Sequence, residues 1–507
     1  MGAERVRVTH DVELVEADGD SPGMAGQADG ETEGSAPVRA AWWRRHLWWL
    51  ASGLVGVIIA ASSVVHAVQV RMRLAELSDV PGIAAPIDGP VHERWSVDSS
   101  FQALGEVGGV LVGTETDENG VTSARGIDAT TGVATWSVPV TVPAAWGGSC
   151  ALADGPVTGR EKAVLACHVV DEVTPVAAEE GVQTSGQAVR AHLATLDPRT
   201  GAVLGTFPAG PLDTISAFGT EVAIASHQIG PTGGESTVRR WDPRTGSATW
   251  TAHHADPGSG GSSSTSIQES SGVVLAQNGG DVWEVSASGV EVRSWTGLRT
   301  DEGYWLMRTA GGHVLWATYG GTATPSADAT GAVTVAVDGT VTVSDLGERT
   351  AYTLDHLVPW TALVDDGSAP DLLLVAGSDP VAYDLRTGGE IWRPHRAVDA
   401  FVVLDGTVYA AGAGTVSAMD TRTGATRWTV RTDMPLGPGA LETDGRSLFV
   451  VGVRAGSSVS TVEALDLVAG TVSWTSTLSH AFDGLTVLGG RLGAVSYTDA
   501  GKVTVLG

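Results

Sequence analysis

A phrase of nine residues, Asp-x-x-Thr-Gly-x-x-x-Trp, recurs along this chain and constrains its fold more than any other feature. Full copies stand at Asp128–Trp136, Asp242–Trp250, Asp384–Trp392 and Asp420–Trp428; Asp466–Trp474 has Ala469 in place of the Thr, and Asp197–Gly205 lacks the Trp. A phrase that returns every few dozen residues is typical of a repeat architecture, in which each copy forms one structural unit. The sequence therefore predicts a series of similar units.

Each copy has the chemistry of a tight turn between two strands. In the copy that begins at Asp384, the carboxylate can accept hydrogen bonds from backbone N–H groups two or three residues further on, and Gly388 can supply the positive φ of the turn. Trp392 then lies on the outgoing strand with a large apolar face that one sheet cannot bury alone. Sheets stacked side by side and closed into a ring would bury every such Trp. We assign this structural role to Asp128, Gly132, Trp136, Asp197, Gly201, Asp242, Gly246, Trp250, Asp384, Gly388, Trp392, Asp420, Gly424, Trp428, Asp466, Gly470 and Trp474.

The spacing of the copies fits one four-stranded blade per copy. Most copies begin roughly 35–70 residues apart, and a blade of four short strands needs about 40–50 residues. The long gap between Asp242 and Asp384 holds two degenerate units, Asp281–Trp295 and Val341–Tyr352. With a composite unit built from both ends of the repeat region there are nine candidates. Because eight is the commoner number in large propellers, we expect eight blades, within a range of seven to nine.

The two ends of the repeat region predict how the ring closes. Glu93–Val97 is similar to the outgoing Trp strand of a copy, yet no inner strands precede it. Leu485–Gly507 offers three strand-like runs and stops before any Trp. The N-terminal strand can therefore complete the C-terminal blade. We expect an all-β propeller over residues 91–507, closed by its N- and C-terminal strands.

These copies resemble the pyrroloquinoline-quinone-like (PQQ-like, or quinoprotein-like) β-propeller repeat family, and the chain is similar to a membrane-anchored bacterial member of it. The resemblance covers roughly residues 91–507. In this family the repeat Trp residues dock between neighbouring blades, and the resemblance assigns that role to Trp136, Trp250, Trp392, Trp428 and Trp474. The family contains quinoprotein dehydrogenases as well as scaffolds and sensor ectodomains that bind no cofactor, so the fold alone does not imply a function.

The dehydrogenase branch of the family has a disulfide between adjacent Cys residues stacked on the quinone, and a Ca²⁺ held near an Asp base. This chain lacks that signature, because its only cysteines are Cys150 and Cys167. We therefore expect no enzymatic activity and no cofactor. PQQ and Ca²⁺ belong only to the alternative interpretation, a membrane-anchored quinoprotein dehydrogenase.

Cys150 and Cys167 lie in two successive strand-like runs of one candidate blade. Neighbouring antiparallel strands can bring two Cα atoms within disulfide range. If the domain lies outside the cytoplasm, an oxidising compartment favours the bond. We predict a Cys150–Cys167 disulfide, with two buried thiols as the alternative.

A run of nineteen uncharged residues, Leu47–Val65, precedes the repeats. As a helix it would span about 28 Å, close to the ~30 Å hydrocarbon core of a bilayer. Three arginines before the run (Arg39, Arg44, Arg45) against two after it (Arg71, Arg73) favour a cytoplasmic N-terminus. We predict a single-pass cell-membrane protein with an extracytoplasmic propeller. The alternative, a cleaved signal peptide, would have a shorter apolar region nearer the start.

The remaining segments complete the predicted domain organisation. Residues 1–40 carry nine acidic residues against three arginines and too little apolar surface to fold, so we predict a disordered cytoplasmic tail. We predict that residues 41–74 form the transmembrane helix with its flanks. The Pro-containing residues 75–90 are predicted to form a stalk or linker before the propeller.

The composition limits the classes of partner and indicates the type of source genome. A net charge of −28 repels polyanions, so we expect no nucleic-acid partner. The abundance of Arg, Ala, Gly and Val with few lysines is typical of a high-GC, actinobacterial-type genome.

Two short motifs suggest chemistry but have simpler explanations. Gly19–Gly23 matches a nucleophile-elbow pattern, but that motif needs a preceding strand and a following helix, which the acidic tail does not offer. His253–His254 has no third metal ligand at a useful spacing, and we interpret the pair as part of a surface loop.

The sequence therefore predicts a non-catalytic binding or scaffold module, with a protein or small-ligand partner on the propeller face. Loops on a rigid scaffold usually carry recognition. The alternatives are the quinoprotein dehydrogenase and an extracellular sensor that works with a separate signalling partner.

Overall fold

The computed structural model of the protein describes residues 72–73, 76–77, 80–143, 148–153, 162–174, 187–230, 233–256, 265–270, 272–298, 304–319, 323–327, 333–337, 340–345, 350–355, 362–377, 379–496 and 501–507. The chain divides into two compact units, Met1–Gln69 and Val70–Gly507, and all of the described residues belong to the second. The predicted tail (1–40) and apolar run (47–65) lie outside the described residues. Within the described ranges, no helix is both long enough and apolar enough to cross a membrane.

The described part of the second unit is an all-β structure of antiparallel sheets, as predicted. Its strands form eight four-stranded sheets, one three-stranded sheet and one two-stranded hairpin. We number the successive sheets 1 to 9 in chain order; the first strand, β1 (Glu93–Asp98), belongs to sheet 9.

The strand bounds of the first five sheets are as follows. Sheet 1 contains β2 (Gln102–Val107), β3 (Val110–Thr116), β4 (Thr122–Asp128) and β5 (Ala134–Pro139); sheet 2 contains β6 (Ser149–Ala153), β7 (Val164–Thr174), β8 (Gln187–Leu196) and β9 (Val203–Ala209); sheet 3 contains β10 (Thr214–Phe218), β11 (Glu221–Gly230), β12 (Gly233–Asp242) and β13 (Ser247–Asp256); sheet 4 contains β14 (Ser266–Ser270), β15 (Val273–Asn278), β16 (Asp281–Val285) and β17 (Glu291–Trp295); sheet 5 contains β18 (Tyr304–Arg308), β19 (Val314–Tyr319), β22 (Thr340–Asp345) and β23 (Thr350–Asp355), with the separate hairpin β20 (Ala323–Ala327) and β21 (Val333–Val337) inserted between β19 and β22.

The other four sheets follow the same order. Sheet 6 contains β24 (Leu372–Val375), β25 (Val381–Asp384) and β26 (Gly389–Trp392); sheet 7 contains β27 (Ala400–Leu404), β28 (Thr407–Gly412), β29 (Thr415–Asp420) and β30 (Thr426–Arg431); sheet 8 contains β31 (Leu441–Thr443), β32 (Ser447–Val453), β33 (Ser460–Asp466) and β34 (Val472–Thr477); sheet 9 contains β35 (Gly484–Leu488), β36 (Arg491–Ser496), β37 (Lys502–Leu506) and β1.

The repeated phrase forms the hairpin between the third and fourth strands of a sheet. At Asp420, the side chain accepts hydrogen bonds from the backbone N–H groups of Arg422 and Thr423, and Gly424 N donates to Asp420 O at 2.9 Å. Gly424 has φ = +66° and is followed by a register shift in the pairing of β29 with β30. A glycine adopts positive φ at little steric cost, which explains why the phrase requires Gly at the end of this turn.

Consecutive sheets pack against each other through hydrophobic clusters. Among the described residues, nine hydrophobic clusters each combine buried side chains of two consecutive sheets. One of them joins Leu488 and Val505 of sheet 9 to Leu111 and Ile127 of sheet 1. Each of the nine candidate repeat units thus corresponds to one packed sheet.

The N-terminal strand pairs where the sequence predicted. Residues 93–98 of β1 run antiparallel to β37, with Val97 opposite Val503 and Asp98 opposite Lys502. Sheet 9 therefore combines three strands from the C-terminal end of the sequence with one from residues 93–98.

Residues 80–90, predicted as part of a stalk, pack against the sheets instead. We call this segment the N-terminal strap. Ala84 N donates to Thr443 O at 2.9 Å, and Ile87 N donates to the buried carboxylate of Asp444 at 2.9 Å. Ala84 is buried in the cluster between sheets 8 and 9. The strap takes this place because its apolar side chains fill the core and its backbone bonds to the exposed ends of sheets 8 and 9.

A second segment covers the inner edge of sheet 7. Sheet 6 lacks a fourth strand among the described residues, and residues 362–366, which precede it, run parallel to β27. Leu363 N donates to Phe401 O at 3.0 Å, and Val403 N donates to Val364 O at 2.8 Å. Gly82 of the strap lies so close to this segment that an added Cβ would approach Leu363 O to 2.9 Å. The strap and residues 362–366 therefore pack directly against each other.

Candidate functional site

The repeat Trp side chains dock from one sheet onto the turn of the next. The indole of Trp428 in sheet 7 lies against Gly470 in the turn of sheet 8, and its Nε1–H donates to Leu467 O at 3.1 Å. The same pair of contacts is made by Trp136, Trp250 and Trp392, whose Nε1 atoms donate to Pro198 O, Ala287 O and Thr421 O. Each ring needs a Gly beneath it, because a Cβ there would collide with the indole. The Trp and the Gly of neighbouring units thus form one interlocking contact.

Three positions vary this arrangement. Phe207 takes the place of the missing Trp in sheet 2 and lies against Gly246. Trp95 of β1 lies against Gly132 of sheet 1, but its Nε1 has no partner among the described residues. Trp474 packs 5.8 Å from the ring of Phe449, next to sheet 9, whose third and fourth strands are not joined by a repeat turn.

The repeat Asp residues cap the turns through their hydrogen bonds. The backbone and hydroxyl hydrogen bonds from Thr131 lower the pKa of Asp128, and the Thr423 hydroxyl is the main cause of the lowered pKa of Asp420. Both carboxylates are exposed, so their charges are well screened by solvent. Their chemistry is that of turn caps and offers no poised acid or base.

Cys150 and Cys167 are directly opposite each other on β6 and β7 and form a disulfide with Cα atoms 4.0 Å apart. Cys167 lies in the core between sheets 1 and 2. The bond joins neighbouring strands within sheet 2.

The cysteines form a different disulfide from the one in the dehydrogenase signature. The disulfide joins two separate strands, whereas the dehydrogenase signature needs adjacent cysteines. In the ranges that the structure describes, no group of three or more His, Cys, Asp or Glu side chains could hold a metal ion.

The sheets differ most in strand length at the edge that carries the connections between their second and third strands. On this long-strand edge, β7 and β8 of sheet 2 and β11, β12 and β13 of sheet 3 reach ten or eleven residues. The hairpin β20–β21 is inserted at the corresponding connection of sheet 5. The opposite edge, the repeat-turn edge, carries the short repeat turns. Extension beyond the common strand length is therefore concentrated on one edge.

The long-strand edge presents exposed apolar and charged side chains. Ile229 near the end of β11 is 73% exposed, and Val189 on β8 is 47% exposed. Exposed polar pairs lie beside them, including the ion pair of Arg190 with Glu172 and the contact of His253 with Glu235. Mixed apolar and charged exposure on a rigid support suits recognition of another surface.

The interpretation of His253–His254 as a surface loop is wrong. Both residues lie in β13, and His254 is buried, stacked on Trp283 with ring centroids 4.3 Å apart. Its Nδ1 is 3.0 Å from a carboxylate oxygen of Glu291 in sheet 4. The alternation of β13 places neighbouring residues on opposite faces, so one His faces solvent and the other faces sheet 4.

A buried polar network beside His254 was not visible from the sequence. Ser236 lies 3.0 Å from His227 Nδ1 and 3.1 Å from the hydroxyl of Thr265, and the Asn278 amide donates to His227 at 2.7 Å. These residues are distant in sequence and meet only because sheets 3 and 4 pack together. The network fixes the relative position of the two sheets at the long-strand edge.

Comparisons with known proteins found one matching family model and several similar solved structures. The family model described as "Outer membrane protein assembly factor BamB" matches residues 376–506. Solved structures similar to this chain include BamB from Moraxella catarrhalis (16% identity, TM-score 0.34, 82% of this chain and 97% of that chain), the C-terminal WD40 domain of Sif2 (12%, 0.35, 83% and 99%) and Saccharomyces cerevisiae Sqt1 (9%, 0.36, 82% and 98%). No curated protein matches the chain. These structural likenesses are too low to transfer a partner or an activity.

The matched residues contain β25 to β37, and the same unit of turn, Gly and docked Trp recurs in the earlier sheets. The match over residues 376–506 and the recurrence of the same unit in the earlier sheets support a PQQ-like β-propeller repeat family for this chain.

Proposed function

We propose that the protein is a single-pass, membrane-anchored β-propeller that acts outside the cytoplasm as a non-catalytic binding or scaffold module. The observation that carries this proposal is the concentration of long strands on one edge of a set of sheets that Trp–Gly contacts join together. Such a support holds a recognition surface in a fixed geometry.

The sheets close into one ring in this proposal. Support comes from the cluster that joins sheet 9 to sheet 1 and from the pairing of β1 with β37. Trp95 of sheet 9 also lies against Gly132 of sheet 1, in the same way as the Trp of one sheet lies against the Gly of the next elsewhere. By this count the ring has nine blades, because the three-stranded sheet 6 has its own core with each neighbour.

The long-strand edge is the partner-binding face of this proposal. On the repeat-turn edge, the strap already covers the ends of sheets 8 and 9 through Thr443, Asp444 and Gly490. The long-strand edge has exposed apolar side chains such as Ile229. A protein partner is favoured, since the family model is named for an assembly factor.

Site-specific crosslinking tests the binding face. A photo-crosslinking amino acid at Ile229, in the full-length chain within its host cells, is expected to give a discrete adduct with another protein. Val468 is the matched control, because it is an apolar residue of a repeat turn and is 85% exposed. Adducts at Val468 but not at Ile229, or at neither position, would contradict the assignment of the binding face.

The disulfide gives a test of compartment and of stability. In the full-length protein from host cells, Cys150 and Cys167 are expected to resist maleimide labelling until a reductant is added, because an oxidising compartment preserves the bond. Cys150→Ser should lower the free energy of unfolding by about 3 kcal/mol through loss of the cross-link. Labelling without reductant would argue for a reducing compartment, and denaturant unfolding measures the stability change. Wild type treated with reductant is the control and should approach the stability of the variant.

A further inference from the structure

A cavity of about 300 Å³ lies between sheets 6 and 7. It exists because β26 is only four residues long and ends at Trp392, whereas the facing strand β30 extends over six residues. The hydroxyl-bearing face of sheet 7 is therefore left without a covering strand. Residues 393–398 cross over this gap and line it.

The segment that crosses the cavity is held at one end by the backbone. Val398 and Gly377 exchange backbone hydrogen bonds at 2.7 and 3.0 Å, and Asp399 N donates to Ala411 O at 2.8 Å. A Cβ on Gly412 would collide with Ala397 O, so the segment lies directly on the end of β28. At its other end, Arg393 is bound by Glu390 and Asp379. His395 and Arg396 lie between these two fixed points.

The cavity combines cationic and hydroxyl side chains. His395 and Arg396 line it, and neither has an ion-pair or hydrogen-bond partner among the described residues. Thr415, Ser417 and Thr429 supply hydroxyl groups from β29 and β30, and Thr415 is buried. Val398, Ala410 and Met419 provide an apolar end.

A further arginine lies on the same face. Arg431 is directly opposite Thr415 in the register of β29 with β30, so both side chains are on one face of the sheet. Arg431 also lacks an ion-pair partner among the described residues, although most described arginines have one, as Arg427 does with Asp420 and Arg454 with Glu463. Two arginines without an ion-pair partner among the described residues, Arg396 and Arg431, therefore lie beside this cavity.

We propose that this cavity binds a small, hydroxylated organic molecule through an oxyanion group, a carboxylate or a phosphate. Arg396 pairs with the oxyanion through its planar guanidinium, His395 and Arg431 add hydrogen-bond donors or charge, and the threonine and serine hydroxyls bind the hydroxyl groups of the ligand. The volume suits a ligand of about one sugar ring. This site lies between two sheets and does not depend on the partner face or the membrane anchor proposed above.

Binding of defined probes to the purified full-length protein tests this proposal. Glucuronate and glucose 6-phosphate are expected to bind by isothermal titration calorimetry, and glucose is expected to bind at least tenfold more weakly because it lacks the charge. Whichever anion binds more tightly identifies the oxyanion as carboxylate or phosphate. Binding should weaken as the salt concentration rises.

Two single-residue variants make the test specific. Arg396→Gln is expected to weaken binding of the anionic probes about tenfold or more. Arg422→Gln is the matched control, because Arg422 also lacks an ion pair, lies in the same sheet at the repeat turn, and does not line the cavity. The proposal fails if neither anion binds, if glucose binds as tightly, or if Arg422→Gln weakens binding as much as Arg396→Gln. Arg396 is exposed, so its replacement should leave the melting temperature unchanged.

Discussion

Replacing Trp428 by alanine is expected to lower the free energy of unfolding by about 3–5 kcal/mol, the usual cost of truncating a large aromatic side chain in a core. The indole lies at the core between sheets 7 and 8, with Tyr409 6.0 Å away between ring centroids. Its loss removes the contact with Gly470 and leaves Leu467 O without its donor. Denaturant unfolding of the wild type and the variant measures the effect.

Two conservative variants separate the ring from its hydrogen bond. Trp428→Phe keeps an aromatic ring but cannot donate to Leu467 O. Besides the effect of the smaller ring, the missing hydrogen bond is expected to lower the free energy of unfolding by about 1 kcal/mol. Trp95→Phe should escape that loss, because the Trp95 Nε1 has no acceptor among the described residues. If Trp428→Ala unfolds at the wild-type denaturant concentration, Trp docking does not hold the sheets together.

Raising the pH is expected to weaken the fold through Glu442. This side chain lies on β31, is 7% exposed, and has one carboxylate oxygen without a partner among the described residues. Burial raises its pKa from 4.5 to about 8, against a smaller opposing effect of the Thr443 backbone. The folded protein therefore keeps Glu442 protonated at neutral pH.

The direction of the pH dependence follows from proton binding. Below pH 4.5 both the folded and the unfolded chain hold the proton, and the contribution is fully present. Between pH 4.5 and about 8 only the unfolded chain ionises, so the stability falls as the pH rises. Above pH 8 the contribution is lost. At about 1.4 kcal/mol per pKa unit, the total is on the order of 5 kcal/mol.

Glu442→Gln isolates this effect, since the amide fills the same space and does not titrate. The difference in unfolding free energy between wild type and variant, measured from pH 5 to 9, should change steadily in favour of the variant. Glu463→Gln is the matched control, because Glu463 is also buried but is paired with Arg454 at 2.8 Å. If the free energy of unfolding depended on pH in the same way for wild type and Glu442→Gln, Glu442 would not hold the proton in the folded protein.

The repeat turns and the docked Trp side chains could be predicted from the sequence because their determinants are local. The Asp carboxylate, the Thr backbone and the Gly with positive φ all lie within five residues, as at Asp420–Gly424. The Trp follows at a fixed spacing, so the strand geometry points it at the neighbouring sheet. The pairing of β1 with β37 was also predictable, since an isolated Trp strand and three unaccompanied strands complement each other.

The candidate sites were less predictable, because they depend on segments that meet only in the folded chain. The cavity at Arg396 results from the early end of β26 against a longer β30, a difference in length that no motif marks. His254 carries no signal of its burial, which comes from Trp283 in the next sheet.

The sequence by itself determined the repeating unit, its turn, the Trp side chain on the outgoing strand, and the composite last sheet. Only the tertiary structure decided that residues 80–90 pack against sheets 8 and 9, that residues 362–366 run parallel to β27, and that Glu442 is buried. The physical reason is the range of the interactions. Turn hydrogen bonds and φ preferences act within a few residues, whereas burial and edge pairing between distant segments depend on which surfaces remain uncovered once the sheets have packed.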